Sequence, residues 1–115
     1  MSMNVKIRHV EGVTVLDLSG KITLGDGSIA LREAVRDALS AGSKKILINL
    51  ADVNYIDSAG LGELVGSYTS VKNAGGELKL LKLSKKVRDL LVITKLLTVF
   101  DVKDDEKEAV AAFNK

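Results

Sequence analysis

The sequence predicts an α/β fold: one domain whose small, mixed and mainly parallel β-sheet is flanked by about four α-helices. Three observations point there. Strand-like runs alternate with helical patterns in the order β-β-α-β-α-β-α-β-α, and that alternation implies parallel strands joined by crossover helices. The run Ile46-Leu47-Ile48-Asn49-Leu50 is nearly continuous in apolar residues, as a central strand covered on both faces requires. A length of 115 residues, 46% of them hydrophobic, suits a single domain over 1–115 with a real core.

The elements follow in order. Val5-Lys6-Ile7-Arg8 alternates and reads as a strand. A turn at Glu11-Gly12 leads into Val13-Thr14-Val15-Leu16-Asp17-Leu18, its hairpin partner. Residues 20–27 read as a loop, with a turn at Gly25-Asp26-Gly27. Ser28 is placed to cap a helix running to Ala41. Leu31, Val35, Ala38 and Leu39 share its inner face, Arg32, Glu33, Arg36 and Asp37 its outer face, and Gly42 stops it. After the central strand, a second helix covers about 60–73 and ends at Gly75-Gly76. Leu61, Leu64, Val65, Tyr68 and Val71 make its core face. Residues 77–83 read as a strand. Ser84 caps a short helix holding Val87, Leu90 and Leu91. Val99-Phe100 reads as a short edge strand. Asp104-Asp105-Glu106 suits the positive end of a last helix, with Val110 and Phe113 facing inward.

Composition narrows the function. The 17 basic and 15 acidic residues are largely interleaved, and aromatic residues make up 3%. A nucleic-acid binder would show a basic stripe with stacking aromatics, so no direct nucleic-acid contact is expected. Cysteine is absent, which excludes disulfides and thiol chemistry and agrees with a cytoplasmic location. The N-terminal stretch Met1-Ser2-Met3-Asn4-Val5-Lys6 lacks an apolar leader. No apolar run reaches the roughly 18 residues of a membrane span. Neither a metal-ligand cluster nor a cofactor fingerprint is present, so no cofactor or metal is expected.

Ile56-Asp57-Ser58-Ala59-Gly60-Leu61-Gly62 stands out, at the junction of the central strand and the second helix. A helix start offers unpaired N–H groups and partial positive charge, a good place for a phosphate. Ser58 is thus either the helix cap or a phosphate acceptor, and both roles can coexist. Asp57 either forms the turn or positions the hydroxyl. Ala59, Gly62, Gly66 and Ser70 form a stripe of small residues beside the core face. Glycine inside a helix costs roughly 0.5–1 kcal/mol relative to alanine. Close packing inside the fold or close approach of a partner backbone would each explain the pair, with Ser58 at the head of the groove. A catalytic serine needs a base. The single histidine, His9, lies on the first strand, and the motif lacks the G-x-S-x-G elbow. Lys85, Lys86 and Arg88 read as a solvated face, with anion or partner contact as the alternative.

These residues resemble those of the STAS-domain anti-anti-sigma factors, the sporulation and stress-response antagonists of bacteria. The likeness rests on Ile48-Asn49-Leu50, Tyr55-Ile56-Asp57-Ser58-Ala59-Gly60-Leu61-Gly62, the helix to Asn73, Gly75-Gly76 and Leu78-Lys79-Leu80, and extends more weakly over residues 5–113. The resemblance implies a phosphoprotein in transcription regulation that works by partner switching. The unmodified form binds an anti-sigma factor that is also a serine kinase, and sigma factor is released. Phosphorylation of Ser58 ends binding, and a metal-dependent serine phosphatase restores it. ATP belongs to the kinase. The implied partner surface is Asp57, Ser58, Ala59, Gly60, Gly62, Glu63, Gly66, Ser70 and Thr23. Two departures stand out. Ala59 occupies a position where many relatives carry Ser or Thr, leaving Ser58 as the one hydroxyl of the motif loop. The segment Lys21-Ile22-Thr23-Leu24-Gly25-Asp26-Gly27 differs from the more acidic or polar loops of many relatives, which points to a different partner. The alternative is a non-catalytic STAS subunit of a sensory scaffold or lipid-transporter complex; a small serine hydrolase is a third reading, opposed by the missing base.

Overall fold

A computed structural model of the chain describes residues 3–114. Met1 and Ser2, which begin the stretch read above as free of a leader, lie outside the described residues, as does Lys115. β1 (Met3–Val10) folds back through a tight turn onto β2 (Val13–Ile22). Then come α1 (Asp26–Ser40), β3 (Lys45–Ile56), α2 (Ser58–Asn73), β4 (Glu77–Leu81) and α3 (Lys85–Ile93). A 3-10 turn over Leu97–Val99, β5 (Val102–Lys103) and α4 (Glu106–Phe113) complete the chain. The strands lie side by side in chain order, β1-β2-β3-β4-β5. Only the first hairpin is antiparallel. The fold is therefore the mixed, mainly parallel sheet with four helices that the pattern predicts. The hairpin turns on Glu11 (φ 48°) and Gly12 (φ 82°), the left-handed geometry that matches the twist of paired strands.

Several elements depart from their sequence pattern, each for a physical reason. β2 and β3 continue to Ile22 and Ile56, well past their apolar cores. Their extensions pair with each other, Ser19 with Asp52, Gly20 with Val53, Lys21 with Tyr55 and Ile22 with Ile56. Two register shifts each give β3 one extra residue, and such bulges break the alternation by which a strand is recognised. α1 starts at Asp26 behind Gly25 (φ 94°), so Ser28 is not its cap. Ser28 is buried in the first turn, where its hydroxyl donates to the Gly25 carbonyl (3.2 Å) and its N–H to the Thr23 carbonyl (2.9 Å). Asp26 and Gly27 are accordingly helical. The edge strand is Val102–Lys103 rather than Val99-Phe100. Phe100 is instead buried, its ring edge-on to Tyr68 at 5.5 Å. β4 ends at Leu81 because Lys82 turns to φ 56°. Ser84 and Asp105 cap α3 and α4, accepting from the N–H groups of Val87 and Glu108.

The sheet separates two apolar layers. Leu16, Leu18, Ile48, Leu50 and Leu80 pack with Leu31 of α1, Leu64 of α2 and Val87 of α3. On the other face Val13, Val15, Leu47 and Leu81 pack with Ala109, Val110 and Phe113 of α4. A polar network joins the same face. Arg8 donates to Asp17 at 2.5 and 3.0 Å and to Glu106 at 2.6 and 3.2 Å, while Asn49 donates to Asp17 at 2.8 Å. Gly60 is fixed by contact: a Cβ there would stand 2.0 Å from the Ile22 carbonyl oxygen. Gly62, two residues on and exposed, has nothing within 4 Å of its would-be Cβ.

Two expected outcomes follow. Gly60→Ala forces backbone to move, and crowding of this kind costs about 1–3 kcal/mol. Gly62→Ala meets only solvent and gains about 0.5–1 kcal/mol of helix stability. Urea denaturation midpoints should therefore shift in opposite directions for the two variants. The hydrogen bonds from Arg8 hold the Asp17 and Glu106 carboxyls below their ordinary values of 3.8 and 4.5. Protons then bind the unfolded chain more readily than the folded one. This stabilisation is complete above the ordinary value of 4.5 and drains as pH falls through the lowered folded values. Arg8→Met should cost about 1 kcal/mol at neutral pH, a modest figure because the group is part exposed. It should also flatten the loss of stability between neutral pH and about pH 3, read from urea melts at each pH.

Candidate functional site

The site is assembled where β2 and β3 end and α2 begins. Ile56 is buried and anchors the end of β3, after which Asp57 turns the chain in extended geometry. The Asp57 carboxylate accepts the Gly60 N–H at 2.8 Å and the Leu24 N–H at 3.0 Å. Its own N–H donates to the Ile22 carbonyl (3.3 Å), and its carbonyl accepts the Leu61 N–H (2.9 Å). One residue thus ties the end of β2, the loop before α1 and the first turn of α2. The Gly60 N–H, then that of Leu24, stabilise the charged carboxylate and hold its pKa below the usual aspartate value.

Asp57, not Ser58, is therefore the cap of α2. Ser58 is the first helical residue and is exposed. Its hydroxyl is relieved of the capping task that serine at a helix start commonly has. Among the predicted site residues, Ala59 is half-buried and Gly60 is buried against Ile22, so Gly60 shapes the site from below. Thr23 lies in the loop that Asp57 holds through Leu24, which brings it to the same rim.

Gly66 and Ser70 of the small-residue stripe open onto a groove of about 390 Å³ between α1 and α2, lined also by Arg32, Arg36, Glu63 and Ser67. Arg32 pairs with Glu63 across it at 2.9 Å. The nearest atom to a Cβ on Gly66 would be a Glu63 carboxylate oxygen at 3.9 Å, and Gly62 meets nothing. Packing inside the fold accounts for neither glycine. Ser58 does not head this groove as the sequence suggests. It lines a separate cleft of about 640 Å³ on the other side of α2, with Tyr55, Leu61, Lys86, Leu90 and Ile93. Tyr55 and Ile93 were not among the predicted site residues, and Lys86 was read as a solvated face with partner contact as the alternative. The signal for Ile93 was the run Leu90-Leu91-Val92-Ile93, four consecutive apolar positions, more than one helix face can bury.

The geometry also bears on catalysis. His9 pairs with Thr14, where β2 and β3 begin, whereas Ser58 follows their far end at Ile22 and Ile56. Thr14 and Ile22 are eight residue steps apart along β2, roughly 26 Å at the rise of a strand. His9 is thus far outside reach of Ser58. Among the described residues no helix is long and apolar enough to cross a membrane.

Comparison with known proteins agrees with this architecture. The STAS domain profile matches residues 4–109. An anti-sigma-B factor antagonist of Bacillus subtilis is 35% identical over 102 residues, covering 89% of this chain and 92% of that one. An anti-sigma-B factor antagonist of Listeria monocytogenes is 36% identical over 112 residues, covering 94% and 93%. The crystal structure of a candidate anti-sigma factor antagonist from Thermotoga maritima superimposes with a TM-score of 0.88 at 27% identity, covering 96% of this chain and 95% of that one. With the fold and these likenesses together, the chain belongs to the STAS domain family, and the relatives it resembles include anti-sigma factor antagonists.

Proposed function

We propose that this chain is an anti-sigma factor antagonist whose Ser58 is a phosphorylation switch. The observation that carries the reading is the exposed Ser58 hydroxyl on the positive end of α2, with the capping role already taken by Asp57. The unmodified form binds an anti-sigma factor that is also a serine kinase, and the sigma factor is released. Ser58 Oγ then attacks the γ-phosphorus of ATP held by the kinase, ADP leaves, and the hydroxyl proton passes to a base of the kinase. A metal-dependent serine phosphatase hydrolyses the ester and restores the hydroxyl. The chain itself acts by binding rather than catalysis. Its partner surface comprises Asp57, Ser58, Ala59, Glu63 and Thr23 around the acceptor, with Gly62, Gly66 and Ser70 along α2. Gly60 supports this surface from beneath.

Magnitudes favour a switch that leaves the fold intact. A phosphoserine adds about −1.5 to −2 charges. At a helix start that charge gains about 0.3–1 kcal/mol. Left unpaired in an interface, it costs about 3–5 kcal/mol. At about 1.4 kcal/mol per factor of ten, binding falls by two orders or more while the folded state is kept.

Calorimetry against the anti-sigma serine kinases encoded in the same genome tests this. Ser58→Ala should bind like the parent chain and take no phosphate from ATP by mass spectrometry. Ser58→Asp should melt normally yet bind about a hundredfold more weakly. Equal binding by the two variants would sink the switch. Gly66→Ala should raise thermal stability by about 0.5–1 kcal/mol and weaken kinase binding, since its new methyl fills the open flank. Undiminished binding would remove the α1–α2 groove from the partner surface.

A further inference from the structure

The α3 side of Ser58 has a composition of its own. Large apolar side chains lie open around the motif: Leu24 is 79% exposed, Ile93 76% and Tyr55 46%. Leu24 is fixed to Asp57, and the other two line the Ser58 cleft. The buried Ile56 and Leu61 line the same cleft. Exposed apolar groups gathered around a concavity, rather than scattered singly, mark interaction sites. A second concavity of about 520 Å³ adjoins the first and shares Tyr55 and Lys86 with it. Lys21, Asn54, Ser84 and Lys85 complete its lining. Lys21 arrives from the extension of β2, and Lys85 and Lys86 open α3, whose positive dipole end adds to the field. Lys85 is paired with Asp89 at 2.8 Å. Lys21 and Lys86 have no carboxylate within ion-pair distance among the described residues.

We propose that this double cleft is the docking site for a segment of the anti-sigma partner that seats a bulky apolar side chain against Leu61, Leu90 and Ile93 and sets acidic residues beside Lys21 and Lys86. The occupant follows from the chemistry. The apolar half calls for one large side chain, and the unpaired lysines call for negative charge a short distance along the same segment. A bilayer is a poorer fit, since a broad surface does not enter a concave cleft with a buried floor. The site lies outside the α1–α2 groove, so the partner would straddle α2. Ser58 stands on the rim of the apolar half. Its phosphate would meet the incoming side chain and compete with the partner's acids for Lys86.

The inference rests on the antagonist reading, and its test separates the two. Binding kinetics are measured on the full chain against the same serine kinases. Ile93→Ser should weaken binding by about tenfold or more, mainly through faster dissociation. Lys21→Glu with Lys86→Glu should slow association by about tenfold, a difference that shrinks as salt rises. All three side chains are exposed, so urea midpoints should stay near that of the parent chain and exclude misfolding. Parent-like kinetics in both variants, with the parent chain binding and Ser58→Asp failing, would overturn the docking site and leave the switch standing. No binding of any kinase by the parent chain would overturn both. Sedimentation with anionic phosphatidylglycerol vesicles that the lysine reversals abolish would overturn the assignment to a protein partner.

Discussion

The Asp57 carboxylate is the constraint on which the functional face depends. Its two oxygens are divided between two pieces of chain, the Gly60 N–H inside α2 and the Leu24 N–H before α1. A carboxylate bonded to backbone N–H groups at a helix start is strongly favoured in its charged form. The Ile22 carbonyl closes the arrangement, accepting the Asp57 N–H while occupying the space a Gly60 side chain would need. Together these contacts hold the loop of Thr23 and Leu24 in fixed relation to Ser58. A partner would meet one preformed surface rather than two loops that must first be ordered.

That constraint also explains how one helix serves stability and recognition. The inner face of α2, with Leu61, Leu64 and Val71, is buried in the main core. Its outer flank carries Gly62 and Gly66 with no internal packing to justify them. Two helix-weakening residues on an exposed flank are tolerable because the start of α2 is fixed by Asp57 and its middle by the core. Stability is given up only where a foreign surface could approach. The opposite flank turns toward α3 and presents exposed apolar side chains beside unpaired lysines. The two flanks therefore differ in kind: one shallow and lined by small residues, the other apolar, with unpaired lysines beside the carboxylates of Asp57 and Asp89.

Much of the fold was legible in the sequence because its signals were local. Periodicity located the helices, the apolar run 46–50 marked the centre of the sheet, and Ser84 and the acidic run at 104–106 marked helix starts. What the sequence hid was set by contacts at a distance. The extension of β2 and β3 has mixed polarity and bulged register, so alternation fails there although the backbones pair. Ser28 and Ser58 both look like caps, yet Gly25 and Asp57 occupy the cap positions, and only the fold decides between neighbours. Phe100 resembled a strand residue because burial against Tyr68 demands the same apolar character as a sheet. In the site, the motif loop was visible as a string of residues. The α3 contribution required knowing that Tyr55 meets Lys86 and Ile93, which lie 31 and 38 positions further along the chain.

The strand order has a consequence for how the chain is made. Each strand lies beside the one synthesised just before it, and none is inserted between two earlier ones. Each parallel pair is therefore one crossover apart, and no strand has to wait for a later one to be placed between it and its partner. On a ribosome the sheet could grow strand by strand from the β1–β2 hairpin, with one advancing edge at any moment. An advancing edge is also the place where a nascent sheet is most open to pairing with another chain. Here that edge is finished by β5, only two residues long and ending in Lys103. The last strand added is thus too short and too charged to template a further one, so the same topology that eases assembly also brings it to a stop.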